Sequence, residues 1–442
     1  MKLHECIKNE DFDAEQGALT LSKIRLPSHW NMVRLDRLFD VQQGKSLSPK
    51  SKQGVSPCPF LRTSNVFWGN VDLSNIDYMD FTKEEIEKLA LKWGDLLVCE
   101  GGEIGRTAIW NKNEGEFCLQ NHIHRLRARE KNINPEFYMF WMQAAFLLFD
   151  FYAGQANKTT IPNLSGARLK AFLIPVLPFS EQTAIANILK AVQDAKEVRQ
   201  REITLERERK AALMEFLFTH GTQGGQRKQT EIGEIPQSWV LEKLGDIATI
   251  HSGGTPDRTK SEYWNGDIPW VKTGEINYCT IVQTEEKITR KGLENSSARL
   301  IKANTLLMAM YGQGVTRGRV AILGIDAAIN QACAAIHESK AVSTKFLYYF
   351  LEYNYRKIRS LGHGANQTNL NAALIKSILV SLTSLSVQEE ISRILNACDK
   401  NIAILERETE LLNELFRAVL GQLVTGQLST VPLIEESKEA SP

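Results

Sequence analysis

The chain has 442 residues, 43% of them hydrophobic and 24% charged, with 53 basic against 52 acidic side chains. That size allows roughly two to four globular domains. A net charge of +1 excludes a chain that holds nucleic acid by bulk charge alone. No run of about 18 apolar residues occurs, so no membrane span is expected, and the polar start "MKLHECIKNEDFD" does not read as a secretory signal. The seven cysteines, Cys6, Cys58, Cys99, Cys118, Cys279, Cys333 and Cys398, are scattered and form no C-x-x-C pair. This argues against a disulfide framework or zinc site and fits a reducing, cytoplasmic setting.

In chain order, "LPSHWNMVRLDRLFDVQQGK" (26–45) comes first, followed by "DLLVCEGGEIGRTAIW", which reads as strand, Gly-rich turn, strand. "NHIH" (121–124) puts His122 and His124 on one face of a strand. A metal pair is open there, although no carboxylate or cysteine partner lies nearby in sequence. "HRLRAREK" (124–131) is either a phosphate track or a solvated strand end. "PEFYMFWMQAAFLLFDFY" (135–152) predicts a helix punctuated by Pro135 and Gly154, its aromatics belonging to a core. A long helix then runs from Ser180 as N-cap to Gly221, with no internal Pro or Gly. Ile185, Leu189, Val192, Ile203, Leu213 and Leu217 form its seam, and Lys196, Arg199, Glu206 and Lys210 make its middle polar.

From residue 235 the chain repeats itself with "IPQSWVLEKLGDIATIHSGG". Pro27, Trp30 and Gly44 recur as Pro236, Trp239 and Gly253, a constant 209 residues on. "PFLRTSNV" returns as "PWVKTGEI", "IGRTAI" as "RGRVAI", "GQANKTTI" as "GHGANQTNL" and "FSEQTAIANIL" as "LSVQEEISRIL". The order is kept and the offset drifts only as loop insertions would make it drift, so the chain is a duplication. "LLMAMYGQGVTRGRVAIL" is again strand, turn, strand, and "KFLYYFLEYNYRKIRSL" (345–361) a helix. The second long helix runs from about Ser386 to Gly426, interrupted only by Gly421. Ile391, Leu395, Cys398, Ile402, Leu405, Thr409, Leu412, Phe416, Val419 and Leu423 fall at heptad spacing along it. Each helix is a rod of roughly 57 Å (about 38 residues at 1.5 Å). Two such rods bury their seams most economically on each other. An antiparallel pair would place the globular parts at opposite ends; the alternative packs each helix on its own domain.

Catalytic motifs are missing. The chain has no Pro-Pro, which removes the motif that amino-methyltransferases use to hold a base. In "VQQGKS" Phe39 stands where a P-loop needs its first glycine, and "GGEIGR" and "GQGVTRG" do not satisfy G-x-G-x-x-G. Two matching frames carry different loops, "QGKSLSPKSKQGVSPCPF" against "SGGTPDRTKSEYWNGDIPW", each with basic and hydroxyl residues suited to phosphates and base edges. Such a chain would read two targets at a fixed spacing.

The ordered set "LPSHW", "EIGEIPQSWVLEKLGDIATIHSGGTP", "GDIPWVKTGEI", "GDLLVCEGGEIGRTAI", "LQNHIHRLRA" and "GANQTNL" resembles the specificity subunit of type I restriction-modification systems, from about residue 18 to 428. The paired helix entries complete the resemblance, with Ser384 standing where the first copy has Pro178. It implies an α+β chain of two duplicated globular target-recognition domains separated by an antiparallel coiled coil of two long helices. Residues 1–179 would be the first domain, 180–221 the central helix, 222–385 the second domain, 386–428 the C-terminal helix and 429–442 a polar tail.

The same resemblance implies a non-catalytic, cytoplasmic subunit that binds double-stranded DNA, one half of a bipartite asymmetric site per domain. Its coiled coil would set half-site spacing and dock two methyltransferase (modification) subunits, with two restriction (translocase and nuclease) subunits added. No cofactor of its own is expected; S-adenosylmethionine and ATP with magnesium would sit on the partners. A specificity component of a related type II-like methyltransferase or nuclease, and a coiled-coil scaffold without a DNA role, are the alternatives. Candidate readers in the first domain are Lys45, Ser46, Lys50, Lys52, Arg62, Thr63, Asn65, Arg106, Asn157 and Lys158. In the second they are Thr255, Arg258, Lys260, Lys272, Thr273, Glu275, Gln313, Arg317, Arg319, Asn366 and Gln367. The shared pairs Arg62/Lys272 and Thr63/Thr273 suit backbone contact or framework better than sequence reading.

Overall fold

The computed structural model describes residues 26–48, 57–112, 116–149, 164–312, 315–337, 339–361, 369–430 and 432. The chain is α+β and divides into two compact units. One comprises Met1–Arg199 with Glu408–Pro442, the other Gln200–Arg407. The main helices are α1 (Pro135–Leu147), α2 (Phe179–His220), α3 (Thr344–Tyr353), α4 (Tyr355–Ser360) and α5 (Leu385–Val424). The division falls inside α2 and α5, so each unit holds one copy of the repeat and one half of each long helix.

In the first unit, strand Asn31–Arg34 pairs antiparallel with Leu173–Val176 and so brings the ends of the repeat together. The main sheet has the order Phe39–Gln43, Ile123–Ala128, Leu96–Cys99, Thr107–Ile109, and a smaller sheet the order Asp77–Asp80, Pro57–Leu61, Cys118–Leu119. Leu96–Cys99 is buried along its whole length, which is why it reads as a continuous apolar run rather than an alternation.

The second unit repeats this plan. Val240–Lys243 pairs with Leu379–Leu382. Its main sheet runs Thr249–Ser252, Cys333–His337, Leu306–Ala309, Val320–Leu323, with Thr280–Ile281 added at the edge. The smaller sheet runs Glu286–Ile288, Trp264–Val271, Ala327–Ile329, Leu300–Ile301.

The residues that recur do the same work in both copies. The Trp30 N–H donates to the Pro27 carbonyl and the Trp239 N–H to that of Pro236, each at 3.0 Å. Gly44 and Gly253 lie so close to a crossing strand that a Cβ would stand 2.3 Å from the Leu119 carbonyl oxygen or 2.0 Å from that of Ile329. Gln182 donates to the carbonyls of Leu177 and Asn132 and accepts from the Asn134 N–H. Gln388 makes the same three bonds to Thr383, Ala341 and Ser343. In each copy, one buried amide ties the start of a long helix to the N-cap of the aromatic-rich helix, Asn134 for α1 and Ser343 for α3.

Within each unit the long helices pair antiparallel. In the first, Ile185, Ala186 and Leu189 of α2 share a core with Phe416, Leu420, Leu423 and Val424 of α5 and with the buried face of α1. Arg199 meets Glu408 at 2.7 Å. In the second, Met214, Leu217 and Phe218 share a core with Ile391 and Leu395 and with α3, while Arg207 meets Glu406 at 2.5 Å. The seams therefore bury against both the partner helix and the domain. The polar middle of α2 takes specific partners: Lys196 lies over the Phe416 ring, and Lys210 pairs with Glu352 and Asp399 at 2.8 and 2.7 Å.

Several expectations need correction. Helix α2 begins at Phe179 rather than after Ser180, because the Pro178 carbonyl accepts from the Gln182 N–H. Helix α5 begins at Leu385 in the same way, on the Ser384 carbonyl, and runs through Gly421. The single helix expected over 345–361 is two helices that meet at Asn354. The helix from Pro135 stops at Leu147, and Gly154 lies outside the described residues. His122 is exposed in a turn before the strand that buries His124, so the two do not share a strand face. The "HRLRAREK" arginines are framework: Arg125 pairs with Asp40, Arg127 with Asp95, and Arg129 donates to the Asp36 carbonyl.

Candidate nucleic-acid interface

Three chain segments meet at one edge of each unit. In the first, the Lys45 N–H donates to the Leu119 carbonyl, the Asn121 N–H to that of Lys45, and the Gln120 N–H to that of Leu61. Residues 44–46, 61–63 and 119–121 thus lie side by side and bring Lys45, Ser46, Arg62 and Thr63 together. In the second, the Gly254 N–H donates to Ile329 and the Asn330 N–H to Val271, assembling Thr255, Lys272 and Thr273 on the equivalent edge. The Thr255 hydroxyl donates to the Gln331 side chain.

A short turn follows in each copy, Thr63–Asn65 and Thr273–Glu275. The Arg62 N–H donates to the Asn65 amide oxygen, and the Lys272 N–H to a Glu275 carboxylate oxygen. Asn65 is buried and also donates to the Asp72 and Asn75 carbonyls. Both side chains are therefore committed to capping a turn rather than available to read bases. Arg317 is buried and donates to the Arg359 carbonyl, so it too belongs to the framework. Arg106 donates to the Thr63 carbonyl at 2.5 Å and lies over the Phe67 ring. Its counterpart Arg319 donates to Asn277 at 2.5 Å and lies over Tyr278. Lys50, Lys52, Asn157, Lys158, Gln313, Asn366 and Gln367 lie outside the described residues.

Candidate cations on these edges stand in ion pairs. Lys45 meets Glu85 at 2.5 Å and Arg62 meets Asp77 at 3.0 Å. Arg258 meets Glu286 at 2.6 Å and stacks on Trp264, its guanidinium carbon 3.9 Å from the ring centre. Lys272 bridges Glu285 and Glu286, and exposed Lys260 reaches the Tyr263 hydroxyl. The hydrogen bond from Lys45 holds the Glu85 carboxyl below the usual carboxylate range. For Glu286, burial pushes upward, but bonds from Arg258 and Lys272 outweigh it and the net direction is down. A phosphate approaching either edge would exchange one anion for another at a preformed cation, which needs little net positive charge on the chain.

Sequence reasoning missed the aromatic platforms. Phe67 is exposed beneath Arg106, while Tyr278 and Trp264 pack at the margins of hydrophobic cores and turn a ring toward Arg319 and Arg258. The signal was present: Phe67-Trp68 and Asn277-Tyr278 occupy equivalent places in the repeat, and each pair carries an aromatic ring. Among the described residues no group of three or more His, Cys, Asp or Glu could hold a metal ion, and no helix is long and apolar enough to cross a membrane.

The model of one protein family, the type I restriction modification DNA specificity domain, matches twice, at residues 27–207 and 236–414. A type I restriction enzyme MjaVIII specificity subunit from Methanocaldococcus jannaschii is 23% identical over 429 residues, covering 94% of this chain and 97% of the relative. In structure the chain is similar to a type I restriction-modification S subunit from M. genitalium, with a TM-score of 0.58, 18% identity, and 91% and 98% of the two chains covered. A chain from a study of assembly and conformational transition in the type I system gives the same TM-score at 15% identity, over 91% and 100%.

Proposed function

We propose, on the premise that this chain belongs to the type I restriction modification DNA specificity family, that it is the DNA sequence-specificity subunit of such a system. Each unit reads one half of a bipartite, asymmetric site through the edge on which its candidate residues gather. The observation that carries this reading is one frame built twice, with equivalent backbone contacts at Gly44 and Gly253 and different side chains beside them. Repetition of the frame fixes how DNA is approached, and divergence of the loops fixes which bases are accepted.

The chain itself is the non-catalytic member. The long helices set half-site spacing and offer the docking surface for two modification subunits, to which two restriction subunits add. S-adenosylmethionine, ATP and magnesium belong to those partners, and the assembly works in the cytoplasm. Single-molecule sequencing of methylated bases, with and without the chain, tests the reading. A bipartite motif should disappear when the chain is deleted from cells expressing the system. Persistence of every methylated motif would sink the proposal and leave the scaffold alternative.

A further inference from the structure

The duplication supplies an internal control for what the frame needs. Gln43 and His124 stand opposite one another on paired strands, and Glu100 follows the next strand, its N–H donating to the His122 carbonyl and its own carbonyl accepting from the Leu164 N–H. The second copy builds the same backbone. Ser252 stands opposite Ala334, the Met310 N–H donates to the Ala332 carbonyl, and the Leu370 N–H to that of Met310. The frame therefore forms with Ser252, Met310 and Ala334 where the first copy has Gln43, Glu100 and His124. Glu100 and His124 are 6% and 0% exposed. Burying a carboxylate and an imidazole is unfavourable unless they are hydrogen-bonded or paired, and the second copy shows that the same backbone forms without them.

One partner of Glu100 is the side chain of Gln43. Gln43 is an exposed residue, and its amide nitrogen donates to Glu100 Oε2 at 2.7 Å and to the Asn121 carbonyl at 2.8 Å. Both partners are acceptors, so the amide cannot be flipped, and both of its N–H groups are used. Both side-chain bonds of Gln43 leave from its nitrogen, and none reaches its own Oε1 among the described residues. His124 packs beside the carboxylate, its Nε2 3.8 Å from Glu100 Oε2 and hydrogen-bonded instead to the Leu164 carbonyl at 3.0 Å, so it limits the space open to Glu100 rather than bonding it. A free glutamine presents a donor and an acceptor and can pair bidentately with adenine. A glutamine held in this way presents an acceptor only.

We propose that Gln43 is a base-reading residue of the first half-site, fixed by Glu100 and His124 as a pure acceptor that selects an exocyclic amine in the major groove. It thus accepts adenine or cytosine on one strand and rejects the keto bases guanine and thymine. Gln43 stands immediately before Gly44 and the Lys45 edge, so it extends the interface already described. Glu100 and His124 are positioning residues. The inference rests on the DNA-specificity reading above.

The test uses three full-length chains, each assembled with its modification subunit: the unaltered chain, Gln43→Ala, and Glu100→Met combined with His124→Ala, which installs the second copy's residues. Methylated motifs are mapped and melting temperatures measured. Both variants should lose discrimination roughly tenfold at one shared position, where the unaltered chain accepts only A or C, with the other half-site unchanged. The proposal is overturned if both variants keep the original motif at every position. It is equally overturned if stringency falls evenly across the half-site together with melting temperature, the mark of a merely structural role. If the unaltered chain directs no bipartite motif, the DNA-specificity reading fails first and this inference with it.

Discussion

At the scale of single residues, the two glycines of the repeat mark where backbone meets backbone. An alanine Cβ at Gly253 or Gly44 would press on carbonyl oxygens of the crossing strand, which cannot yield as the end of a flexible side chain can. Gly253→Ala should destabilise the chain by about 1–3 kcal/mol in urea unfolding, and an unchanged midpoint would refute the close approach. Arg317 and Arg258 look alike in sequence and separate in structure. Buried Arg317 should, as alanine, lower the melting temperature without altering the methylated motif. Exposed Arg258, stacked and preoriented by Trp264 and Glu286, should lose about 1–3 kcal/mol of discrimination in its own half-site. The two assays together tell framework from reader.

At the scale of elements, the helix seams were legible because apolar spacing is a local property. The polar exceptions were visible, but their partners were not. Lys210 illustrates this: burial lowers its pKa, yet the Glu352 charge and the bonds to Asp399 and Glu352 outweigh burial and raise it. Removing Lys210 leaves two carboxylates facing each other, so Lys210→Met should destabilise the chain by about 3–5 kcal/mol near neutral pH. A group whose folded pKa is raised stabilises fully below its unfolded value, here about 10.5, and loses that contribution as pH rises through the folded value. The stability gap between the unaltered and Lys210→Met chains should therefore narrow above about pH 10.5. A gap independent of pH there would contradict the assigned pairing. The buried glutamines make a second case. Gln388→Leu leaves the Ser343 N–H and two carbonyls without their partner and should cost about 1–3 kcal/mol, with Gln182→Leu behaving alike in the other unit; urea midpoints would check both.

At the scale of the whole molecule, duplication makes two surfaces independent in what they recognise. Substituting Arg106 should alter only one half of the methylated motif, and substituting Arg258 or Arg319 only the other. A single substitution that degraded both halves equally would argue against one reader per unit. The near balance of 53 basic and 52 acidic residues has a local counterpart, since Lys45, Arg62, Arg258 and Lys272 are each held by a carboxylate. DNA would displace those carboxylates rather than fill an empty basic groove. Salt dependence contributed by these edges should accordingly be shallower than the number of cations alone would give, because each freed carboxylate takes up a counterion as each phosphate releases one. A titration from low to physiological ionic strength, compared with a chain carrying Glu85→Gln and Glu286→Gln, would show this.

Sequence alone determined the duplication, the long helices, the strand-turn-strand units and the family resemblance, because each rests on residue order, spacing or local backbone preference. Pro27, Trp30 and Gly44 could be recognised as scaffold simply by returning 209 residues later. Tertiary structure decided which polar residues are available to a ligand. Asn65, Glu275 and Arg317 read as loop polar groups, yet their side chains are taken by backbone partners. Gln43 is not among the sequence's candidate readers, yet the fold holds it on a strand with its amide nitrogen occupied by Glu100 and Asn121. Those bonds join residues 57 and 78 positions apart in the chain, and no local pattern encodes a partner that only the folded sheet brings near.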